Sequence, residues 1–381
     1  MSKIKVNSLE GVGASTPAIS IDNSSGTCTA NITNNLSNRN LIINGAMLVA
    51  QRGTSTTTNG YLIDRFRSNL GGLDQMQFTM SQSTDAPTGF RKSLKFDVTT
   101  AETGGIGSDE YAGLRYIAEA QDVAHLLHGT SAAKTFTLSF HVKAYQTGTY
   151  VVNFYVGDSA RIYNATYTIS QSATWEKKTL TVVGDTSGSG INVDNGHGIY
   201  INWFFASGSA YTSSSSALNQ WSNYQDASWA HGQAVDITTS TNNYFQLAGV
   251  QFELGSVATD FEHRTFAQEL ELCRRYYQKS YNYTTAPSTA TNTGANIHTA
   301  YANVGHAGYA IQLAPMRNTP TATIYSTSTG ASGKMNADSS VGNGTAGYIG
   351  ESAFFAYRTN DNTGVGGDAF MRCHYTADAE L

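Results

Sequence analysis

The sequence predicts an all-β protein built on a two-sheet antiparallel sandwich, and three observations carry that expectation. Only 13% of the 381 residues are charged and only 5 are Pro, against about 25% and about 5% in ordinary soluble proteins. The chain is rich in Ser, Thr and Asn, with 37 Gly and 22 Tyr, whereas helices are written largely in Glu, Lys, Leu and Ala. Apolar and polar residues alternate at period two in short stretches separated by turn clusters, which is the spacing of a sandwich.

Residues 1–40 hold only scattered apolar positions, among them Ile4, Val6, Leu9, Ile19 and Ile21. Such a segment has no core of its own and is expected to order only against copies of itself or a partner. Beyond it, Phe136, Leu138, Phe140 and Val142 alternate with Thr, Ser and His. Further strands are expected over 150–156, 162–169, 175–183 and 199–205, with Ile199, Ile201, Trp203 and Phe205 on one face. QTGT, VGDSA and GDTSGSG supply turns. The last strand of this unit spans 245–252.

A helix follows over residues 265–282. Thr265 and Gln268 have capping-box spacing, Glu269 and Glu271 lie early, and Arg274, Arg275 and Lys279 lie late, as the helix dipole prefers. Phe266, Leu270, Cys273 and Tyr277 form its apolar stripe, expected to pack between two domains. Residues 283–381 return to short strands around 322–325, 353–357 and 369–375, reached through the linker-like PSTATNTG. The expected organisation is an N-terminal attachment segment (1–40), a β-sandwich (41–264), a connecting helix (265–282) and a smaller C-terminal β-sandwich domain (283–381).

Net charge is −5 with no basic block longer than Arg274-Arg275, which argues against nucleic acid as a partner. The start lacks the apolar region of a leader, and the longest apolar run, 41–50, is broken by Asn44 and Gly45, so membrane insertion is not expected. Cys28, Cys273 and Cys373 lack metal or redox spacing and read as free thiols.

Other constellations fail on context. Gly342 to Gly347 matches a dinucleotide fingerprint, yet no helix pattern follows it to hold a pyrophosphate, so a turn-rich loop is expected. His125 and His128 have no third metal ligand tied to them. Asp194-Asn195-Gly196 and Asp361-Asn362 read as Asx-turns before calcium loops. No pair of carboxylates is singled out for glycoside cleavage. The sequence therefore names no catalytic residue, metal or cofactor. Its aromatics carry more information: Trp221, Tyr224 and Trp229 lie in a polar segment with Tyr211, and Tyr348 and Tyr357 recur near the end. Rings in loops stack on sugar faces, although covering a sheet edge explains the same letters.

Several stretches resemble the tail-fibre proteins of tailed bacteriophages, especially marine ones. They are NLIINGAMLVAQR (40–52), residues 61–67 with Asp64-Arg65, TLSFHVKA, and the run from Gln246 to Ser280. TATIYSTSTGASGK and the terminal HYTADAEL are similar to the same fibres. The middle strands also resemble jelly-roll carbohydrate-binding modules. The resemblance implies a jelly-roll sandwich in a structural protein of the virion, usually a homotrimer. Its N-terminus would be held by tail or adaptor proteins and its C-terminal part presented to the host surface. It supplies no catalytic residue. The function expected is therefore adhesion of the particle to a host surface glycan or receptor, without cleavage, by a protein synthesised in the host cytoplasm. A capsid-attached fibre or decoration protein and a glycan depolymerase are the alternatives.

Overall fold

In the computed structural model, residues 8–9, 19–21, 24, 28–30, 38–300, 306–338, 340–359 and 369–381 are described. Within the first forty residues, β1 (Ser8–Leu9), β2 (Ile19–Ile21) and β3 (Cys28–Ala30) pair into a small antiparallel sheet. What the sequence suggests for the rest of that segment lies outside the described residues, as does Asp361-Asn362.

The sandwich is formed by β4 (Ser55–Thr56), β5 (Phe66–Gly71), β6 (Gln77–Ser83), β7 (Ser93–Thr100), β8 (Tyr111–Glu119), β9 (Phe136–Ala144), β10 (Gly148–Val156), β11 (Arg161–Ile169), β12 (Glu176–Val182), β13 (His197–Ser207), β14 (Trp221–Asn223) and β15 (Tyr244–Leu254). Two short helices interrupt it, α1 (Ala120–Val123) and α2 (Ser209–Thr212). The strands make two six-stranded antiparallel sheets, ordered β14-β11-β10-β13-β8-β5 and β12-β9-β15-β7-β6-β4. The chain passes back and forth between the sheets, as in a jelly roll. The all-β sandwich expected from composition and periodicity is the architecture observed.

Alternation places the inward set of each strand in one core. Ile199, Ile201, Trp203 and Phe205 are fully or almost fully buried there, as their shared face predicts. Phe140 meets Trp203 edge-on at 6.0 Å, Phe136 meets Phe252 at 4.8 Å, and Phe78 stacks on Phe96 at 4.7 Å. Such aromatic pairs add packing energy beyond the area they bury. In β5, the inward set is interrupted by a polar residue, the buried Ser68 opposite Leu114.

One irregularity sets the shape of β15. Its pairing with β9 shifts register between Ala248 and Gln251, and Gly249 sits there at φ +59°. A Cβ on Gly249 would lie 2.5 Å from Phe90 Cζ, and one on Gly45 would lie 2.1 Å from the Val250 carbonyl oxygen. The bulge frees the Val250 N–H to donate to the Gly45 carbonyl at 2.9 Å, docking the 41–50 segment on the sandwich.

The longest helix among the described residues is α3 (Phe266–Arg274). Thr265 and Gln268 form the expected capping box, with Thr265 N–H donating to Gln268 Oε1 at 3.0 Å. The helix stops at Arg274 and does not run on to residue 282, because Tyr277–Lys279 forms a strand, β16. Tyr276 and Tyr277 are both buried. Neighbouring residues point to opposite faces only in extended backbone, so two adjacent buried rings on two different surfaces require the switch. Cys273 and Tyr277 are buried, Leu270 is partly buried against Ile43 and Val49, and Phe266 is 43% exposed, its ring edge-on to Tyr283 at 5.1 Å. The stripe thus divides, since the helix is too short to bury its first turn.

The C-terminal part adds β17 (Asn296–Ala300), β18 (His306–Gln312), β19 (Thr321–Tyr325), β20 (Lys334–Ala337), β21 (Ser340–Gly347), β22 (Ala353–Thr359) and β23 (Ala369–Asp378). With β16 they form one eight-stranded antiparallel sheet in which β23 pairs with β16, β17, β19 and β20. Side chains from β18, β19, β20, β22 and β23 converge on a single core around Met335, Phe354, Met371 and Cys373, so the sheet curves over itself. The glycine run expected to be a loop is strand β21. Its small residues admit neighbours on both sides: a Cβ on Gly342 would meet Arg358 Nε at 2.1 Å, and one on Gly344 would meet Met335 Cβ at 2.8 Å.

The C-terminal sheet is tied to the sandwich by buried charge. Arg65 pairs with Glu380, and Arg52 reaches Asp378 at 2.9 Å and Glu380 at 3.4 Å. Glu119 accepts both forks of Arg275, at 3.0 and 2.6 Å, and the Tyr276 hydroxyl at 2.7 Å.

Candidate functional site

In the first sheet, each strand sends its odd members inward and its even members out, or the reverse, so the outward residues are set by the pairing register. One register row crosses five strands: Asn164, Asn153, Asn202, Arg115 and Arg67 stand directly opposite one another in turn. Asn202 Nδ2 donates to Asn153 Oδ1 at 2.7 Å, and Arg115 Nε donates to Asn202 Oδ1 at 2.6 Å. The neighbouring row sets Tyr155 opposite Tyr200, with ring centroids 5.5 Å apart.

The segment between β13 and β15 lies over part of this outer face. Asn153 Nδ2 donates to the Trp229 carbonyl at 2.6 Å and Asn164 Nδ2 to the Ser228 carbonyl at 2.8 Å. These two buried amides hold the loop so that the Trp229 ring meets Tyr155 at 5.6 Å, Tyr224 at 5.8 Å and Phe204 at 5.9 Å. Tyr224 also meets Tyr155 at 5.1 Å, and Tyr211 meets Tyr111 at 5.2 Å. Tyr111, Tyr155, Tyr200, Tyr211 and Tyr224 are each partly exposed around the nearly buried Trp229.

The polar ends of these rings are fixed. Tyr200 Oη lies 2.7 Å from His197 Nδ1, and the Tyr224 hydroxyl donates to Asp226 Oδ1 at 2.8 Å. Burial raises both tyrosine pKa values, helped at Tyr224 by the Asp226 charge. Burial lowers the pKa of His197, and the Arg317 and Arg115 charges lower it further, so the imidazole is held neutral. Partly exposed phenols beside a guanidinium, held over buried amides, form a surface suited to stacking on the C–H faces of polyhydroxylated rings and to bonding their hydroxyls.

Among the residues singled out by the sequence, Tyr224 and Trp229 come together on this face. Trp229 is 9% exposed and serves more as the floor of the patch than as a free platform. Trp221 is not with them. It stands opposite Tyr163 on the inward register, meets that ring at 5.5 Å, and donates its indole N–H to the Val183 carbonyl at 2.7 Å. Tyr357 lies on the C-terminal sheet and Tyr348 just past the end of β21, where Tyr348, 92% exposed, faces Phe355 at 6.4 Å and Phe355 lies over Tyr357 at 6.0 Å. The sequence reading missed Tyr155, Tyr200, Arg115 and the Asn row. Their signal was present as the second alternating set of NFYV and YINWF, which a search for rings in loops passes over.

The remaining constellations have local explanations. Asp194 Oδ1 accepts the Gly196 N–H at 2.8 Å, an Asx-turn, and Asn195 donates to the Arg317 carbonyl at 2.7 Å. His128 is buried 3.2 Å from Ser159 Oγ and edge-on to Trp221. Cys273 and Cys373 are free and buried, and burial raises both thiol pKa values, that of Cys373 to about 11. Among the described residues, one set of carboxylates, Asp74, Glu102 and Glu110, brings oxygens within 4.8 Å of one another. No described helix is long and apolar enough to cross a membrane.

Fold and face together define an all-β jelly-roll protein with a tyrosine-rich surface over buried amides on one sheet. No protein-family model matches the chain, and no curated protein matches its sequence. Among solved structures, it is similar to the enzymatically active domain of tailspike protein 4 from bacteriophage CBA120, at 12% identity and a TM-score of 0.31, over 57% of this chain and 21% of that one. The chain thus spans about a fifth of that domain. A putative sugar binding protein from Bacteroides thetaiotaomicron aligns at 12% identity and a TM-score of 0.31, over 57% of this chain and all of the other. A family 11 carbohydrate-binding module from Clostridium thermocellum aligns at 11% and 0.26, over 54% and 99%. Alignments at these scores assign neither a family nor a ligand.

Proposed function

We propose that the protein is a non-catalytic glycan-binding adhesin of a phage particle, a tail fibre that uses the outer face of its first sheet to hold host surface saccharide. The observation that carries the binding part is the patch itself, Tyr155, Tyr200 and Tyr224 around Trp229, edged by the Asn202 and Arg115 row. Rings held open by backbone-anchored amides and flanked by hydrogen-bonding groups are the surface that stacking on sugars demands. The fibre part rests on the resemblance of residues 246–280 and the neighbouring stretches. A weakly charged Ser, Thr and Asn surface and a homotrimeric assembly suit that role. Each site is expected to be weak, and avidity among three copies and several fibres multiplies it by about 10² or more.

The test is binding of the purified protein to intact host cells and to isolated surface polysaccharide, wild type against Tyr155→Ala plus Tyr200→Ala, with released reducing sugar followed in parallel. Loss of binding with no sugar release supports the reading. Equal binding by the double variant overturns the site, and steady release turns the reading toward a depolymerase. Labelled antibody on the intact particle distinguishes a tail fibre from a capsid fibre.

A further inference from the structure

We infer that the opposed guanidinium groups of Arg67 and Arg115 receive the anionic substituent of an acidic saccharide, a carboxylate or a sulfate, while Tyr155 and Tyr200 carry the sugar ring beside it. This rests on the glycan-binding reading and narrows its ligand class.

Arg67 and Arg115 occupy directly paired positions on β5 and β8. Like charges facing each other across two strands are destabilising, and among the described residues no carboxylate pairs with either one. Among the described residues neither forms an ion pair, whereas Arg52, Arg65, Arg161, Arg264 and Arg275 each have a carboxylate partner. Both groups are nevertheless oriented. Arg115 gives its Nε–H to Asn202 Oδ1 at 2.6 Å, and its guanidinium carbon lies 5.3 Å from the Tyr200 ring centre and 5.5 Å from that of Trp229. Arg67 gives its Nε–H to the Ser68 carbonyl at 3.2 Å and lies 5.4 Å from the Tyr61 ring centre.

The Nε–H bonds and ring faces fix the planes of the two forks, and the terminal nitrogens of both have no acceptor among the described residues. Burial lowers the pKa of Arg115 and the Arg67 charge lowers it further, outweighing the opposite pull of Tyr111, Tyr200 and Tyr61. A planar guanidinium with free parallel N–H groups matches a carboxylate or sulfate through two hydrogen bonds at once. Asn202, one residue before Trp203 and two after Tyr200 on β13, links the arginine row to the tyrosine row. An anion on the arginines therefore sets its sugar beside Tyr200 and Tyr155.

The experiment titrates the full chain with three oligosaccharides of equal length: a polyuronate, its carboxyl-reduced neutral form, and a sulfated neutral backbone. The expected result is that one or both acidic forms bind roughly tenfold or more tighter than the neutral one at low salt. That margin shrinks as chloride is raised, and in Arg67→Gln plus Arg115→Gln it falls to about one. The two acidic arms identify which anion is used. Should the double variant not fold, Arg67→Gln alone keeps the Arg115 bond to Asn202 and is expected to lose part of the margin. Equal affinity for acidic and neutral forms, or an undiminished margin in the variants, overturns this inference and leaves glycan binding standing. Failure to bind any saccharide on cells or in solution overturns both.

Discussion

Arg65 and Glu380, 315 positions apart in the chain, form a buried ion pair, with side chains only 1% and 4% exposed. The Arg65 guanidinium lies 3.5 Å from the ring centre of Tyr276 and donates to the Ile117 carbonyl at 2.5 Å. Removing one member of such a pair leaves the other charged and desolvated. Glu380→Gln is therefore expected to cost about 3 kcal/mol, read as a lower urea midpoint with the denaturant slope unchanged. A midpoint equal to wild type would show that Arg65 is neutralised by other groups.

Asp64 gives a pH dependence with a defined sign. Its carboxylate accepts the Gln51 backbone N–H at 2.7 Å and lies 3.6 Å from Arg52, but burial outweighs both and raises its pKa from 3.8 to about 6. A raised folded-state value means that the stability owed to protonated Asp64 is fully present below the unfolded value and is lost as pH rises through the folded one. Wild-type stability measured relative to Asp64→Asn should therefore fall between pH 3.8 and about 6. A difference that is flat or rises over that window contradicts the assignment.

Rings of similar composition have opposite uses. Tyr200→Ala removes a partly exposed ring and should weaken saccharide binding by about 1 kcal/mol with little change in melting temperature. Trp221→Ala removes a ring that packs against the core edge, and should lower stability by about 2 to 3 kcal/mol while leaving saccharide affinity as it was. Calorimetric melting and titration on the same two proteins separate these effects. The reverse pattern would exchange the roles of the two rings.

Gly249→Ala is expected to destabilise the sandwich by more than 1 kcal/mol, since the position has φ +59° and a Cβ there meets Phe90. Gly45→Ala should be worse, because its Cβ meets a backbone oxygen that has no rotamer by which to withdraw. Chemical denaturation of each variant checks both. Wild-type stability in Gly45→Ala would mean that the 41–50 segment does not dock on β15.

How much of this was legible in the sequence depended on the range of the interaction. The capping box at Thr265 and Gln268 is a contact between residues three apart, and the structure has it where the letters put it. The inward faces of β9, β10, β11 and β13 follow from side-chain alternation alone. The end of α3 was not legible, because Tyr277–Lys279 becomes a strand through pairing with residues 376–378 of β23, about a hundred positions away. The Gly342 to Gly347 run likewise reads as a loop until Arg358 and Met335 fill the space its missing side chains leave.

The candidate site divides along the same line. Trp221, Tyr224 and Trp229 are close in sequence, and local reasoning treats them as one group. Trp221 turns inward because its register opposite Tyr163 places it on the core side, whereas Tyr224 and Trp229 reach the outer face. By itself, the sequence determined the all-β class, the alternating core and the helix cap, because composition, period-two patterning and capping act between neighbours in the chain. Only the tertiary structure decided which rings meet on one face, where Arg67 and Arg115 oppose each other, and that Arg65 finds Glu380. Those relations are set by strand register and sheet order, which arise from burial summed over the whole sandwich and leave no mark in any single stretch of residues.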